Sequence, residues 1–331
     1  LRPRHARAQS RAVAPRTVEV ALERVQAAHV VPAVVRLSFR IERGERVAFI
    51  GPNGAGKSTT LKMLAGVLEP DSGRAEVLGM VPVRDRQQLG YVTGTLFGQR
   101  SQLLHQLPVR CSFELLAAVY ELDRRVAAER IDELAQLLEF APYMERPVRQ
   151  LSLGERMRCE LAASLLHCPG VIFLDEPTIG LDVQAKAAIR EALVQHSEQR
   201  RATLLLTSHD ASDIEQVCER VIVVQHGRLV MDGTIAHLRQ NYFRKKRIRL
   251  LTDVPSLTLE LPGVTCISRL AHQCVLEVDP AVTPVEQVIR AALDRATLRD
   301  VSIEEPPLEQ AIRAMYQSTD NGRDHESAPP P

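Results

Sequence analysis

Residues 51–59 read Gly-Pro-Asn-Gly-Ala-Gly-Lys-Ser-Thr, a glycine-rich loop closed by a Lys-Ser pair. The pattern is G-x-x-x-x-G-K-[ST], the P-loop. Gly51, Gly54 and Gly56 let the backbone turn tightly and point its N–H groups inward. With Pro52, Asn53, Ala55 and Thr59 they form a cradle for phosphate at the start of a helix expected near Lys57. Lys57 suits the β- and γ-phosphates, and the Ser58 hydroxyl suits Mg²⁺.

The flanks agree with that reading. Arg46–Ile50 is a short apolar run suited to a buried parallel strand. Thr59–Gly66 carries apolar residues at helical spacing. Strand, loop and helix follow in the order that phosphate binding needs.

Further along, Val171–Leu174 is an apolar run ending in Asp175-Glu176. A buried strand ending there delivers both acids to the carboxyl edge of a parallel sheet, where ligands bind. Asp175 suits the Mg²⁺ role, directly or through water. Glu176 suits polarising the attacking water. Thr203–Leu206 and Val221–Val224 are two more strand-like runs, separated by helical segments, as in a sheet with crossover helices. His226-Gly227 reads as a hairpin turn into Arg228–Met231.

Between the two phosphate elements stands Leu151-Ser152-Leu153-Gly154-Glu155. Ser152 with Glu155 three residues on is a capping box, and it predicts a helix running through Met157, Leu161 and Leu165. A second anion-binding helix end in a chain that already has one is economically explained if it serves the nucleotide on another subunit.

These motifs, in this order, resemble the ATP-binding cassette (ABC) ATPases over residues 17–235. The stretch 151–155 is similar to the family signature Leu-Ser-Gly-Gly-Gln, with Leu153 and Glu155 as departures. The resemblance implies an α/β P-loop NTPase fold with an inserted helical subdomain at about 100–168 and a small α+β appendage. It implies that Asp182, in Gly180-Leu181-Asp182, is the D-loop residue meeting the partner subunit. It makes His209, in Thr207-Ser208-His209-Asp210, the switch histidine at the γ-phosphate. It makes Gln99, in Phe97-Gly98-Gln99-Arg100, the Q-loop glutamine linking the metal to the helical subdomain. Phe97–Leu116 is similar to a bacterial ABC-2-type exporter subgroup, and residues 244–317 resemble its accessory C-terminal region. The family's adenine-stacking aromatic has no counterpart in residues 17–38, where His29 falls nearest the expected place.

The implied protein is an ATPase subunit, with Mg²⁺ as cofactor, that drives a separate integral membrane permease. It would pair with a second such subunit, read as another copy of this chain, on the cytoplasmic face of the membrane. The rival is a soluble ABC ATPase acting on nucleic acid or ribosomes. Against that rival stand one cassette, no long heptad coiled coil and no zinc-type cysteines. A non-catalytic cassette is disfavoured because Lys57, Asp175, Glu176 and His209 are all present.

Composition sets the outer bounds. The 331 residues are 45% hydrophobic and 25% charged, with a net charge of +1, which gives no overall pull toward nucleic acid. No apolar run approaches the length of a membrane span. No secretory leader is visible in the arginine-rich N-terminus. Six cysteines (111, 159, 168, 218, 266 and 274) lack any C-x-x-C pair and read as reduced thiols. The domain reading is a disordered basic tail at 1–16, an ATPase domain at 17–240, an accessory region at 245–317 and a disordered tail at 318–331. Within the helical stretch, Val126, Ile131, Leu134 and Leu138 are expected on one buried face. Arg244–Arg247 reads as a solvated charge run.

Overall fold

The apolar runs Val47–Ile50, Val171–Leu174 and Val221–Val224 are wholly buried, as is Leu204–Leu206. Such uninterrupted runs suit strands covered on both faces. The computed structural model describes residues 17–26, 32–98, 101–242, 245–255, 257–304 and 308. The basic tail 1–16, His29, Gln99, Arg244, the end of the accessory region at 309–317 and the tail 318–331 lie outside the described residues.

The chain divides into two compact units, Leu1–Gly233 and Thr234–Pro331. The first opens with β1 (Thr17–Gln26), β2 (Pro32–Val34), β3 (Leu37–Glu42) and β4 (Arg46–Ile50), followed by α1 (Lys57–Leu64) and β5 (Ser72–Val77). Next come α2 (Arg86–Gly90), β6 (Thr93–Phe97), α3 (Val109–Val119), α4 (Arg124–Leu137) and α5 (Leu153–Leu165). Then follow β7 (Val171–Asp175), α6 (Val183–Arg200), β8 (Thr203–Thr207), α7 (Ala211–Val217), β9 (Arg220–Gln225) and β10 (Arg228–Thr234).

Two sheets result. β1, β2, β3 and β5 form an antiparallel sheet, with β1 paired to the other three. The larger sheet has the order β10-β9-β4-β8-β7-β6, with β4, β6, β7, β8 and β9 parallel. Phe49, Leu61, Phe173 and Ile222 share one core between them. Each such side chain contributes about 1.5–3 kcal/mol relative to exposure. Crossover connections bring the carboxyl ends of β4 and β7 to one edge, and that edge carries the site.

The turn between β9 and β10 has positive φ at both His226 (50°) and Gly227 (71°), which is the hairpin geometry its residues suggest. It also braces the phosphate loop. Gly227 N donates to Ala55 O at 3.2 Å, and Val35 N donates to Gly227 O at 2.9 Å.

One reading changes. On α4 the buried positions are Ala127, Arg130, Leu134 and Ala135, continued by Leu138, whereas Val126 is exposed. The buried stripe is offset because Arg130 goes inside, paired with Glu133 at 2.5 Å and 3.1 Å from His196 Nδ1. β6 has no continuous apolar run to announce it. Within the basic stretch Lys245 and Lys246 are exposed, in keeping with a solvated charge run, while Lys246 and Arg247 open a strand and Lys245 pairs with Glu277 at 2.8 Å.

The second unit contains α8 (Ile235–Tyr242), β11 (Lys246–Thr252), β12 (Val264–Leu270), β13 (Gln273–Val278), α9 (Val285–Leu293) and β14 (Leu298–Glu304). Its antiparallel sheet has the order β12-β13-β11-β14. Val288 and Ala292 of α9 pack on Ile248, Leu250, Leu276 and Val278. Among the described residues, no helix is long and apolar enough to cross a membrane.

Candidate active site

The phosphate loop leaves β4 at Gly51 and closes on α1. A Cβ at Gly51 would lie 2.2 Å from Val224 O, so any side chain there would displace the loop from β9. Gly56 has φ +98° and passes under Ala33 O, where a Cβ would lie at 2.5 Å. No side chain caps the α1 N-terminus, so its first N–H groups face outward for an anion. Lys57 is buried, and its Nζ donates to Gly51 O at 2.7 Å and Pro52 O at 3.2 Å. Burial lowers its pKa, opposed by the charges of Glu176 and Asp175.

A cavity of about 400 Å³ opens above the loop. Asn53, Gly54 and the Gly56–Thr59 stretch line one side, and Asp175, Glu176, Ile179 and His209 the other. Gly51, Pro52 and Ala55 frame the loop from behind rather than lining the cavity.

β7 delivers the two acids. Thr207, at the end of β8, fixes both. Its Oγ1 donates to Asp175 Oδ1 at 2.7 Å, and both its Oγ1 and its carbonyl accept from Glu176 N at 3.1 Å. Glu176 sits at φ 56°, a left-handed conformation that costs a non-glycine residue energy and is found at functional sites. Its Oε1 is buried and lies 3.1 Å from His209 Nε2, an ion-pair distance without hydrogen-bond alignment. Burial raises the Glu176 pKa, opposed by His209 and Lys57.

Asp213 was not singled out from the sequence, yet it organises this edge. It is fully buried and accepts from Thr178 Oγ1, from Ser208 Oγ at 2.6 Å and from Arg190 Nε at 2.6 Å. It thereby pins the loops on either side of Glu176 and His209. Thr178 and Arg190 come from distant parts of the chain, so no local pattern announces the whole set.

The capping box forms as expected. Glu155 N donates to Ser152 Oγ at 3.2 Å, and Ser152 N to Glu155 Oε2 at 2.7 Å. Arg146 Nη1 holds Glu155 Oε1 at 2.9 Å. The bond from Ser152 N and the charge of Arg146 lower the Glu155 pKa against desolvation. Asp182 caps α6, its Oδ1 accepting from Ala185 N at 2.8 Å. Gly154 abuts that helix start, where an added Cβ would lie 3.2 Å from Ala185 Cβ. The structure therefore groups the phosphate loop, Asp175, Glu176 and His209 in one cavity. It groups Ser152, Leu153, Gly154 and Glu155 with Asp182, and among the described residues neither Asp182 nor the 152–155 stretch lines that cavity.

Ser58 and Asp175 offer a hydroxyl and a carboxylate to the same cavity. Among the described residues, no cluster of three His, Cys, Asp or Glu forms a metal cage. A sparse set of hard oxygen donors beside a phosphate cradle fits Mg²⁺, which takes most of its ligands from water and phosphate.

A family model described as "ABC transporter" matches residues 34–179. The ABC transporter ATP-binding protein NatA of Bacillus subtilis (strain 168) is 33% identical over 212 residues, which is 64% of this chain and 86% of NatA. The daunorubicin resistance ATP-binding protein DrrA3 of Streptomyces coeruleorubidus is 33% identical over 299 residues, 88% of this chain and 93% of DrrA3. Among solved structures, an ATP binding subunit of an ABC transporter matches with a TM-score of 0.62 at 25% identity, over 68% of this chain and 92% of that one.

Proposed function

The chain belongs to the ABC transporter ATP-binding family, and from that premise we propose that two such chains close around ATP to drive a separate membrane permease, in the direction of export. The observation that carries this reading is the separation of the two motif groups: a cavity with phosphate loop, acids and histidine, and a capped helix end set apart from it. Leu153 (42% exposed), Ile179 (57%) and Val183 (82%) are apolar and outward-facing beside these groups, as a docking face requires. The drug-resistance name of DrrA3 supports export, and the transporter names of the relatives favour a permease over nucleic acid or ribosomes as partner.

In this mechanism the α1 N-terminus and Lys57 hold the β- and γ-phosphates. Ser58 and Asp175 would hold Mg²⁺, which would supply charge neutralisation to the phosphoryl oxygens. Gln99, which lies outside the described residues, would be the further metal contact that the resemblance implies. Glu176, in its carboxylate form, takes a proton from the attacking water. His209 keeps that carboxylate and the γ-phosphate in register. Ser152 to Glu155 of each chain complete the other chain's site, with Asp182 at the contact between them. Positioning and electrostatics do most of the work in phosphoryl transfer, so a half-built site turns over slowly. ATP binds the closed pair better than the open one, and hydrolysis removes that difference. The two faces would lie on the cytoplasmic side of the membrane, held there by the permease.

Co-purification from solubilised membranes tests the partner. A multi-span membrane protein retained with the tagged chain is expected; ribosomes or DNA in its place would overturn the transporter reading.

A further inference from the structure

Glu160 has no place in the chemistry above, yet it is a buried carboxylate on α5, the helix whose capped end carries the signature. Burying a carboxylate is costly unless hydrogen bonds replace its water. Glu160 finds them in the loop after β6. Oε1 accepts from Ser101 Oγ, and Oε2 accepts from Gln102 N at 3.0 Å. Burial still holds its pKa above the ordinary carboxylate range, against the pull of those bonds.

The line of bonds continues. Gln102 Nε2 donates to Thr95 O of β6 at 2.6 Å. β6 runs parallel to β7, with Thr95 opposite Phe173 and Phe97 opposite Asp175. α5 and β6 also meet directly: a Cβ on Gly94 would lie 2.4 Å from Ser164 O, so the two elements have no slack between them. Interactions thus run from the signature helix through Glu160, Gln102 and β6 to the strand that bears Asp175 and Glu176.

We propose that Glu160 is a positioning residue that ties the signature helix to the acidic pair, so that nucleotide engaged by one end of the chain alters turnover at the other. This rests on the two-chain reading. There, the start of α5 faces the nucleotide held by the partner, while Asp175 and Glu176 serve the chain's own. Glu160 then lies on the path between the two sites of one pair, and it touches neither nucleotide.

The test is the ATP dependence of turnover by the purified full-length chain, wild type against Glu160→Gln. The amide keeps the shape but removes the carboxylate charge that Ser101 Oγ and Gln102 N engage. The expected result is an unchanged ATP affinity at low chain concentration, a Hill coefficient falling to about 1, and maximal turnover falling about tenfold. A merely structural role would lower the melting temperature and leave cooperativity intact. Wild-type turnover and Hill coefficient in Glu160→Gln would overturn the proposal. If that variant does not fold, Ser101→Ala decides on the same readouts: lost cooperativity supports the link, and retained cooperativity refutes it. If the wild type itself shows a Hill coefficient of 1 and a rate per chain independent of chain concentration, the two-chain reading falls, and the proposal with it.

Discussion

Glu176 Oε1 lies 3.1 Å from His209 Nε2, and the glutamate holds that place from a left-handed backbone at φ 56°. The strain is sustained by Thr207, which grips Glu176 N and Asp175 together. Such a carboxylate is set as a base rather than as a phosphate ligand. Glu176→Gln should therefore keep ATP affinity and lose turnover by about 10²–10⁴-fold. Calorimetric titration and phosphate release measure the two separately, and full turnover would remove Glu176 from the chemistry.

The pH dependence follows from the same burial. The Glu176 pKa is raised above the ordinary 4.5, and the active form is the carboxylate. Turnover should fall on acidification with a midpoint above that ordinary value. The stability sign is opposite to that of a salt-bridged acid. A folded pKa above the unfolded one gives stability that is present below the unfolded value and lost as pH rises through the folded value. Glu176→Gln should therefore melt higher than wild type at about pH 7, with the difference vanishing near pH 4. Equal melting temperatures at neutral pH would contradict the burial account.

Lys57 presents its ammonium to Gly51 O and Pro52 O, at the mouth of the phosphate loop. Lys57→Ala should weaken ATP binding by about 1.5–3 kcal/mol, the scale of a hydrogen bond to charge. Unchanged affinity by titration calorimetry would be incompatible with a phosphate-binding role.

Ser152 caps α5 at an exposed position outside the cavity. Ser152→Arg should leave nucleotide binding to a single chain unaltered and block pairing in ATP, since its bulk and charge fill the contact face. Light scattering of the variant with ATP reads this out, and a normal paired mass would refute the shared-site geometry.

Asp213 neutralises Arg190 and ties two loops. Asp213→Ala leaves Arg190 with Asp210 alone, 3.4 Å away, and removes the acceptor of Thr178 and Ser208, so it should cost about 1–3 kcal/mol. Asp213→Asn, which keeps the shape, should cost less. Thermal melting checks both, and an unchanged midpoint for the alanine variant would contradict the organising role.

What could be read from the sequence was what lies contiguous in it. The 51–59 loop, the 171–176 run and the Ser152–Glu155 box each carry their physics within a few residues, and each folded accordingly. What escaped depends on distant partners. β6 is hidden because Gly94 interrupts it, and that glycine is there for the carbonyl of Ser164, seventy residues on. Arg130 goes inside only because Glu133 and His196 receive it. β12 and β14 are edge strands of the second unit's sheet and carry charged residues such as Arg269, Arg299 and Asp300, so the two-residue alternation is blurred. Asp213 looks like any acid in a first helical turn until Thr178, Ser208 and Arg190 converge on it.

The most direct measurement is ATP turnover per chain across a dilution series, with molar mass followed in parallel by light scattering. If each reaction centre is made by two chains, the rate per chain should rise with concentration and level off where the paired mass dominates. A constant rate persisting into the range where only single chains remain would contradict it.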